Sequence, residues 1–174
     1  MKLLEYNYLV LDFDGIFTDN KVYCDSNGNE FVRCCKYDSM ALSIFKKYTY
    51  LKNIDLKIFI LSSEKNKVVS KRANKLGLEV YQGVQDKFKF LDEILLKNNL
   101  ISNFHELIYL GNDINDLQSI KASGFSACPK DSPEIIKKYS YFVGEKCGGD
   151  GFIREVLGYL ISPLNLHDIY INKD

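Results

Sequence analysis

The chain has 174 residues, 46% of them hydrophobic and 26% charged, which is typical of one folded domain and excludes a disordered segment. Its 23 Lys and Arg residues balance 23 Asp and Glu residues, so no basic excess is present for binding nucleic acid. No stretch approaches the ~18 apolar residues of a membrane helix, and no signal peptide is evident. We therefore expect a cytoplasmic protein with no nucleic acid and no membrane among its partners.

Strand and helix signals alternate along the chain. Strands are predicted over residues 6–12, 56–61, 78–83, 106–111, 125–129 and 141–146, with a hairpin at about 21–34 around Asn27-Gly28. Helices are predicted over residues 38–51, 64–77, 86–100, 114–124, 132–140 and 149–161. This order predicts an α/β fold with a single domain over residues 1–174. It would be a Rossmann-like three-layer sandwich with a parallel central sheet and a small β-hairpin flap.

The ends of the predicted strands carry unusual side chains. Ligands of parallel sheets bind beyond the carboxyl ends of the strands, so these residues are the candidates for function. Asp12 and Asp14 lie two residues apart, and side chains so spaced in extended backbone point the same way. Their mutual repulsion would be relieved by a cation between them. One carboxylate could then be a nucleophile and the other an acid and base.

Three further strand ends add chemistry to the same edge. Ser62 and Ser63 supply hydroxyl groups, and Lys87 opens a helix although a cation there opposes the helix dipole. The segment "GNDIND" gathers oxygen ligands of the kind that Mg²⁺ prefers. They are Asn112, Asp113 and Asp116.

In this order the four segments resemble the motifs of the haloacid dehalogenase (HAD) superfamily of phosphatases. "DFDGIFTD" is similar to the first motif, Ser62 to the second, Lys87 to the third and "GNDIND" to the fourth. The resemblance implies that Asp12 attacks phosphorus and forms an aspartyl phosphate. Asp14 would be the acid and base, and Ser62 and Lys87 would hold the phosphoryl oxygens.

The same resemblance implies one metal cofactor, Mg²⁺. Its expected ligands are the Asp12 carboxylate, the Asp14 backbone carbonyl and the side chain at Asn112, with Asp113 adding negative charge. The family more often has aspartate at the position of Asn112, and an amide oxygen carries no charge. The metal assignment therefore depends on a departure from the usual pattern.

Neither interval between the motifs has room for a large cap domain. The hairpin, the segment "YDS", the segment "YQGVQDK" and the late "GGDGFIRE" resemble a narrower group. Its members are capless, tetrameric phosphatases of phosphorylated 2-keto-3-deoxy sugar acids. The resemblance implies a homotetramer in which the hairpin and the C-terminal segment, about residues 147–174, help to close a neighbouring site. Candidate substrate contacts in these segments are Asp38, Gly148, Gly149 and Arg154.

Three charged residues after Ser62 bear on the substrate. In the helix predicted over residues 64–77, Glu64, Arg72 and Lys75 lie within about 80° of one another on its surface. In this they resemble the branch that acts on nine-carbon, sialic-acid-like 9-phosphates. The branch that acts on the eight-carbon 8-phosphate of lipopolysaccharide synthesis tends to have arginine where Glu64 stands. We expect a nine-carbon acid, with Ser63 and Asp116 as further substrate contacts and the eight-carbon 8-phosphate as the alternative.

Two readings of another class stay open. Non-catalytic domains of the same fold occur beside sugar-activating nucleotidyltransferases, where they assemble oligomers, and Asn112 favours this reading. A phospho-accepting signalling receiver is also a small α/β fold with an acidic cluster and a lysine. It leaves Asp14 unexplained.

Overall fold

The computed structural model describes residues 3–98, 103–162 and Ile169. The last residues of the helix predicted over 86–100 lie outside this part of the chain. The same is true of residues 163–168 and 170–174 of the predicted C-terminal segment.

A central sheet of six parallel strands organises the described residues. The strands are β1 Tyr8–Leu11, β4 Lys57–Leu61, β5 Glu79–Tyr81, β6 Leu107–Leu110, β7 Phe125–Cys128 and β8 Phe142–Val143. Their order in the sheet is β5-β4-β1-β6-β7-β8, so β1 lies in the middle. The predicted α/β sandwich with a parallel sheet is confirmed.

Six helices cover the two faces of this sheet within the described residues. They are α1 Lys36–Leu51, α2 Lys67–Leu76, α3 Lys87–Asn98, α4 Leu117–Ala122, α5 Glu134–Tyr139 and α6 Phe152–Ile161. Residues of α1, α2 and α6 share one apolar cluster, and residues of α3, α4 and α5 share the other. Strand β1 feeds both, because Leu9 and Leu11 enter the first cluster while Tyr8 and Val10 enter the second.

The hairpin forms as predicted, from β2 Tyr23–Cys24 and β3 Glu30–Phe31. Asp25 holds its turn, because its Oδ1 accepts the backbone N–H groups of Asn27 and Asn29 at 2.8 and 2.9 Å. The strands belong to a separate two-stranded sheet and not to the central one. The hairpin is therefore an arm with exposed strands, between β1 and α1 in the chain.

The six helices begin one to three residues away from their predicted starts, and two of these differences move candidate site residues. Helix α2 begins at Lys67 and not at Glu64, because the Asn66 side chain caps it by accepting the N–H of Val68 at 3.0 Å. Helix α1 begins at Lys36, which places Asp38 in its first turn instead of at its cap. Across the described residues, no helix is both long and apolar enough to cross a membrane.

Candidate active site

Three neighbouring strands deliver the first set of candidate residues to one edge. Strand β1 pairs with β4 on one side and β6 on the other, with Leu11 in register with both Ile60 and Leu110. Asp12 therefore stands between the segments that follow β4 and β6. The sequence-predicted convergence of these strand ends is what the sheet order produces.

Lys87 is the centre of this cluster. Its side chain is fully buried, and its Nζ lies 2.7 Å from Asp12 Oδ1 and 2.7 Å from Asp116 Oδ1. Burial acts to lower the pKa of Lys87, but the two carboxylates outweigh it and the pKa is raised. Lys87 is thus a fixed cation between two buried carboxyl groups, and ionisation of both would leave the three side chains with one uncompensated negative charge.

The Asp12 carboxylate lies where a buried charge is costly. Burial and then the Asp116 carboxylate raise the pKa of Asp12 to about 8, against the opposing effect of the Lys87 ammonium. Its Oδ1 also accepts the N–H of Phe13 at 2.7 Å. A nucleophile must be ionised, so a further cation beside Asp12 would favour the reactive form.

The Asp14 carboxyl group has a raised pKa. Burial and then the charge of Glu64 raise its pKa, while Lys87 and the Thr18 hydroxyl oppose the rise. Thr18 is fully buried, and its Oγ1 lies 3.5 Å from Asp14 Oδ1 while accepting the N–H of Gly15 at 3.2 Å. A carboxyl group whose pKa lies above its usual range is a better proton donor near neutral pH.

Three oxygen atoms suited to a divalent cation meet beside Asp12. The terminal atom of the Asn112 amide lies 2.8 Å from the Asp14 carbonyl oxygen and 3.3 Å from Asp12 Oδ2. An amide nitrogen there would donate hydrogen bonds, whereas an amide oxygen would complete a set of three oxygens. Adjacent ligands of octahedral Mg²⁺ with bonds of ~2.1 Å are about 3.0 Å apart. The spacing therefore fits Mg²⁺, with the oxygen turned inward.

Gly15 makes this approach possible. It has a φ of +75°, and a Cβ there would lie 2.0 Å from Asn112 Nδ2. No group of three or more His, Cys, Asp or Glu side chains suited to a metal occurs within the described residues. The donor set at this point would instead combine one carboxylate, one backbone carbonyl and one amide.

Asp113 and Asp116 have separate surroundings. Asp113 is exposed, and its Oδ1 accepts the N–H of Ile114 at 2.7 Å, which caps the turn Ile114–Asp116. Asp116 is fully buried and binds Lys87 and the backbone of the same loop. A metal role for Asp113 and a substrate contact for Asp116 stay predictions.

Ser62 and Ser63 follow β4 at the same edge. Ser62 is buried, and its Oγ accepts the N–H of Glu64 at 3.0 Å, which leaves the hydroxyl proton for donation. Ser63 is half-buried, and its Oγ lies 3.5 Å from Asn115 Nδ2. The segment after β4 therefore approaches the loop after β6.

The three charged residues after Ser62 do not share a helix face. Glu64 precedes α2, and its Oε1 accepts the N–H groups of Lys65 and Asn66 at 2.6 and 2.8 Å. Arg72 is half-buried, donates from Nη2 to Ser39 Oγ, and has a buried Nε with no hydrogen-bond partner. Lys75 is exposed in the last turn of α2, at the end remote from the carboxyl edge.

Gly148 and Gly149, which the sequence predicted to contact substrate, pack against the loop that follows β1. A Cβ on Gly148 would lie 1.9 Å from the Gly15 carbonyl oxygen, and one on Gly149 would lie 2.5 Å from the Thr18 carbonyl carbon. The two glycines thus let backbone pack on backbone.

The Asp38 carboxylate accepts hydrogen bonds from the backbone at the start of α6. Asp38 is buried, and its two carboxylate oxygens accept the N–H groups of Gly151 and Arg154 at 3.3 and 2.9 Å. Burial raises the pKa of Asp38 to about 6. Arg154 is exposed, with its guanidinium 6.0 Å from the Tyr37 ring. Both residues therefore join α1 to α6, and a substrate contact by either stays a prediction.

Sequence reasoning missed Thr18 and Tyr109. Thr18 was present in the first motif but was not singled out, although its hydroxyl contacts Asp14. Tyr109 is fully buried in β6 and donates to Asp116 Oδ1 at 2.6 Å. The available signal was a hydroxyl group inside an otherwise aliphatic strand.

Comparisons with known proteins identify relatives of this parallel-sheet fold. A solved structure assigned to the HAD family of hydrolases, from Streptomyces avermitilis, is 32% identical with a TM-score of 0.83, covering 92% of this chain and 88% of that one. The chain belongs to the HAD family of hydrolases. The family that the four motifs predicted is therefore confirmed. No family model matches the chain.

Other relatives are named for sugar acids. The 3-deoxy-D-manno-octulosonate 8-phosphate phosphatase of Moraxella catarrhalis, solved with magnesium, phosphate and the sugar acid KDO, is 26% identical with a TM-score of 0.84, covering 98% of this chain and 94% of that one. The enzyme of that name from Yersinia pestis is 26% identical over 154 residues, which are 88% of this chain and 78% of that protein.

A third relative belongs to a different class of enzyme. N-acylneuraminate cytidylyltransferase A of Danio rerio is 26% identical over 153 residues, which are 88% of this chain and 34% of that protein. The chain thus spans about a third of the length of that relative.

Proposed function

We propose that this protein is a Mg²⁺-dependent phosphatase of a phosphorylated 2-keto-3-deoxy sugar acid. We further propose that its substrate is the 9-phosphate of a nine-carbon acid. The observation that carries the phosphatase chemistry is the buried contact of Lys87 Nζ with Asp12 Oδ1 at 2.7 Å, beside the oxygens of Asp14 and Asn112. The lysine neutralises charge at the point where a carboxylate must approach a dianionic phosphate.

Each group in the cluster has one task in this proposal. The Asp12 carboxylate attacks phosphorus, and the P–O bond to the sugar breaks as the aspartyl phosphate forms. Asp14 donates a proton to the departing alkoxide and then removes one from the water that hydrolyses the aspartyl phosphate. Ser62 donates to a phosphoryl oxygen, and Lys87 stabilises the charge of the transition state. When bound, Mg²⁺ supplies positive charge to the same phosphoryl oxygens.

Turnover of a generic aryl phosphate tests this chemistry directly. Hydrolysis that requires Mg²⁺ and stops with a chelator is expected. A folded protein with no such activity would favour the non-catalytic alternative, to which the match with a cytidylyltransferase gives some support. The buried Asp12, Ser62 and Lys87 and the partly buried Asp14 are the argument against it.

Replacing Asn112 by Asp tests the unusual metal ligand. We expect the Mg²⁺ concentration for half-maximal activity to fall about tenfold, because a charged oxygen attracts the cation more strongly than an amide oxygen. Titrating activity with Mg²⁺ measures it, and Asn115→Asp, an exposed change in the same loop, is the control. Unchanged or weaker Mg²⁺ affinity in Asn112→Asp would show that this side chain does not contact the metal.

The nine-carbon substrate is supported by charges at one wall of the site. Glu64 lies beyond the end of β4, directly after the two serines, and its charge raises the pKa of Asp14. Its carboxylate can accept hydrogen bonds from sugar hydroxyls. The buried Arg72 Nε has a hydrogen left to donate to the carboxylate of a sugar acid. Lys75 would contribute only long-range charge from the far end of α2. One relative is named for N-acylneuraminate, which is a nine-carbon acid, and others for the eight-carbon acid.

Glu64→Arg separates the two sugar acids. We expect kcat/KM for a nine-carbon 9-phosphate to fall about 100-fold, because a cation replaces the acceptor of the sugar hydroxyls, while an aryl phosphate loses less than about threefold. Steady-state kinetics on both substrates and on the eight-carbon 8-phosphate measure the difference, with Glu93→Arg, an exposed change on α3, as the control.

An equal loss on both substrates would place the effect at Asp14 and not at the sugar. Preference of the unchanged protein for the eight-carbon 8-phosphate would establish the alternative substrate.

We also propose that the protein is a homotetramer, because a site without a cap domain leaves the sugar uncovered. We propose the cytoplasm as its location. Exposed Val22, Tyr23 and Phe31 give the hairpin apolar surface for a neighbouring subunit. Sedimentation should give four times the mass of one chain, and Tyr23→Asp should weaken assembly and sugar-phosphate turnover together. A fully active monomer would contradict the shared site.

A further inference from the structure

Strand β6 has one hydroxyl group among buried aliphatic side chains. Tyr109 is completely buried in the apolar layer that also contains Leu107 of the same strand. Phenylalanine would fill nearly the same volume, and a buried hydroxyl costs stability unless it finds a partner. The partner is Asp116, whose Oδ1 accepts the Tyr109 O–H at 2.6 Å. The hydroxyl is therefore aimed at the residue that holds the lysine.

The two oxygens of Asp116 serve different groups. Its Oδ1 accepts from the Tyr109 hydroxyl at 2.6 Å and from Lys87 Nζ at 2.7 Å. Its Oδ2 accepts from the backbone N–H groups of Asn112 at 2.9 Å and Asp113 at 3.3 Å. One oxygen thus faces the lysine, and the other fixes the loop that presents the candidate metal ligand.

Gly111, which follows β6, lies next to the hydrogen-bonded pair Tyr109 and Asp116. A Cβ on Gly111 would lie 2.7 Å from Asp116 Cβ and Cγ and 2.7 Å from Tyr109 Cε1. A side chain at this position would push apart the carboxylate and the ring. Gly111 therefore permits the hydrogen bond as well as the turn into the following loop.

Lys87 divides its charge between two carboxylates at equal distances of 2.7 Å. We propose that Tyr109 is a positioning residue for phosphoryl transfer. Its hydroxyl donates a hydrogen bond to Asp116 Oδ1, which weakens the attraction of that oxygen for the Lys87 ammonium. The ammonium therefore stays available to Asp12 and to the phosphoryl group. Without that hydroxyl, Asp116 draws the ammonium toward itself and away from the reacting oxygens. This inference rests on the proposed phosphatase function.

Tyr109→Phe tests the inference with an aryl phosphate. We expect kcat, expressed per folded enzyme, to fall about tenfold with KM within about twofold of wild type, because the charge is needed most in the transition state. The Mg²⁺ concentration for half-maximal activity should stay unchanged, since the loop is held by the other oxygen of Asp116. Tyr8→Phe is the matched control, because Tyr8 lies in the same apolar layer but at the start of β1, the end remote from Asp12. The kcat of this variant should equal that of wild type.

Urea unfolding of both variants gives the folded fraction, so an unstable variant does not obscure the result. A kcat within twofold of wild type in Tyr109→Phe would overturn the inference. A raised Mg²⁺ requirement together with the loss of kcat would also overturn it, since general loosening of the site would be the cause. An unchanged protein with no aryl phosphatase activity would overturn the proposed function, and this inference with it.

Discussion

Asp12→Asn is expected to lower kcat by at least about 10⁴-fold, because the amide has the shape of the carboxylate but cannot form the aspartyl phosphate. The fold should persist, since the amide oxygen can still accept the N–H of Phe13. Turnover of an aryl phosphate and urea unfolding measure the two effects. Acid quenching with a labelled substrate should trap label on the wild-type protein and none on the variant.

Asp55→Asn is the matched control, because Asp55 is an exposed aspartate in the loop before β4, at the opposite edge of the sheet. Its activity should equal that of wild type. Turnover within tenfold of wild type in Asp12→Asn would remove Asp12 from its role as nucleophile.

Lys87→Met is expected to lower kcat about 10³-fold, because methionine fills the space but supplies no charge to the transition state. It also leaves Asp12 and Asp116 buried without their common cation, which should cost about 3–5 kcal/mol of stability. Lys87 acts to lower the pKa of Asp12, so its removal lifts that pKa further above the value in the unfolded chain. A carboxyl group whose pKa is higher in the folded protein than in the unfolded chain makes the folded protein less stable as pH rises. The loss of stability in Lys87→Met should therefore be larger at pH 8 than at pH 5.

Lys89→Met, an exposed change in the same helix, is the control and should alter neither property. Activity assays and urea unfolding at both pH values provide the comparison. Equal loss of stability at the two pH values would contradict the account of a buried ion pair.

The fold and the centre of the site follow from local patterns in the sequence. Short apolar strands alternating with helices permit few arrangements, and the carboxyl ends of parallel strands necessarily share one edge. This is why Asp12, Lys87 and Asp116 could be placed together before any contact was known. The contact distances then depend on the order of β4, β1 and β6.

What the sequence did not predict was decided by hydrogen bonds between side chains and backbone. The Asn66 side chain caps the first turn of α2, whereas Glu64 accepts the N–H groups of Lys65 and Asn66 before that turn and so lies outside the helix. Asp38 suited a helix start, but the partner that it caps is α6, more than 100 residues later. Tyr109 differs from its aliphatic strand neighbours in its polar hydroxyl group, and the partner of that hydroxyl, Asp116, is set by the tertiary fold.

The packing of Gly148 and Gly149 against the loop after β1 has a consequence for protein synthesis. Residues 15–18 leave the ribosome early, but the backbone that presses on them is made some 130 residues later. β6, which neighbours β1, also emerges late. A nascent chain that carries Asp12 and Asp14 therefore holds an exposed acidic loop without its lysine, its asparagine or its packing partner. Catalytic competence should arise in one late step as α6 is released, and chains truncated before residue 148 should be inactive however well their first half folds.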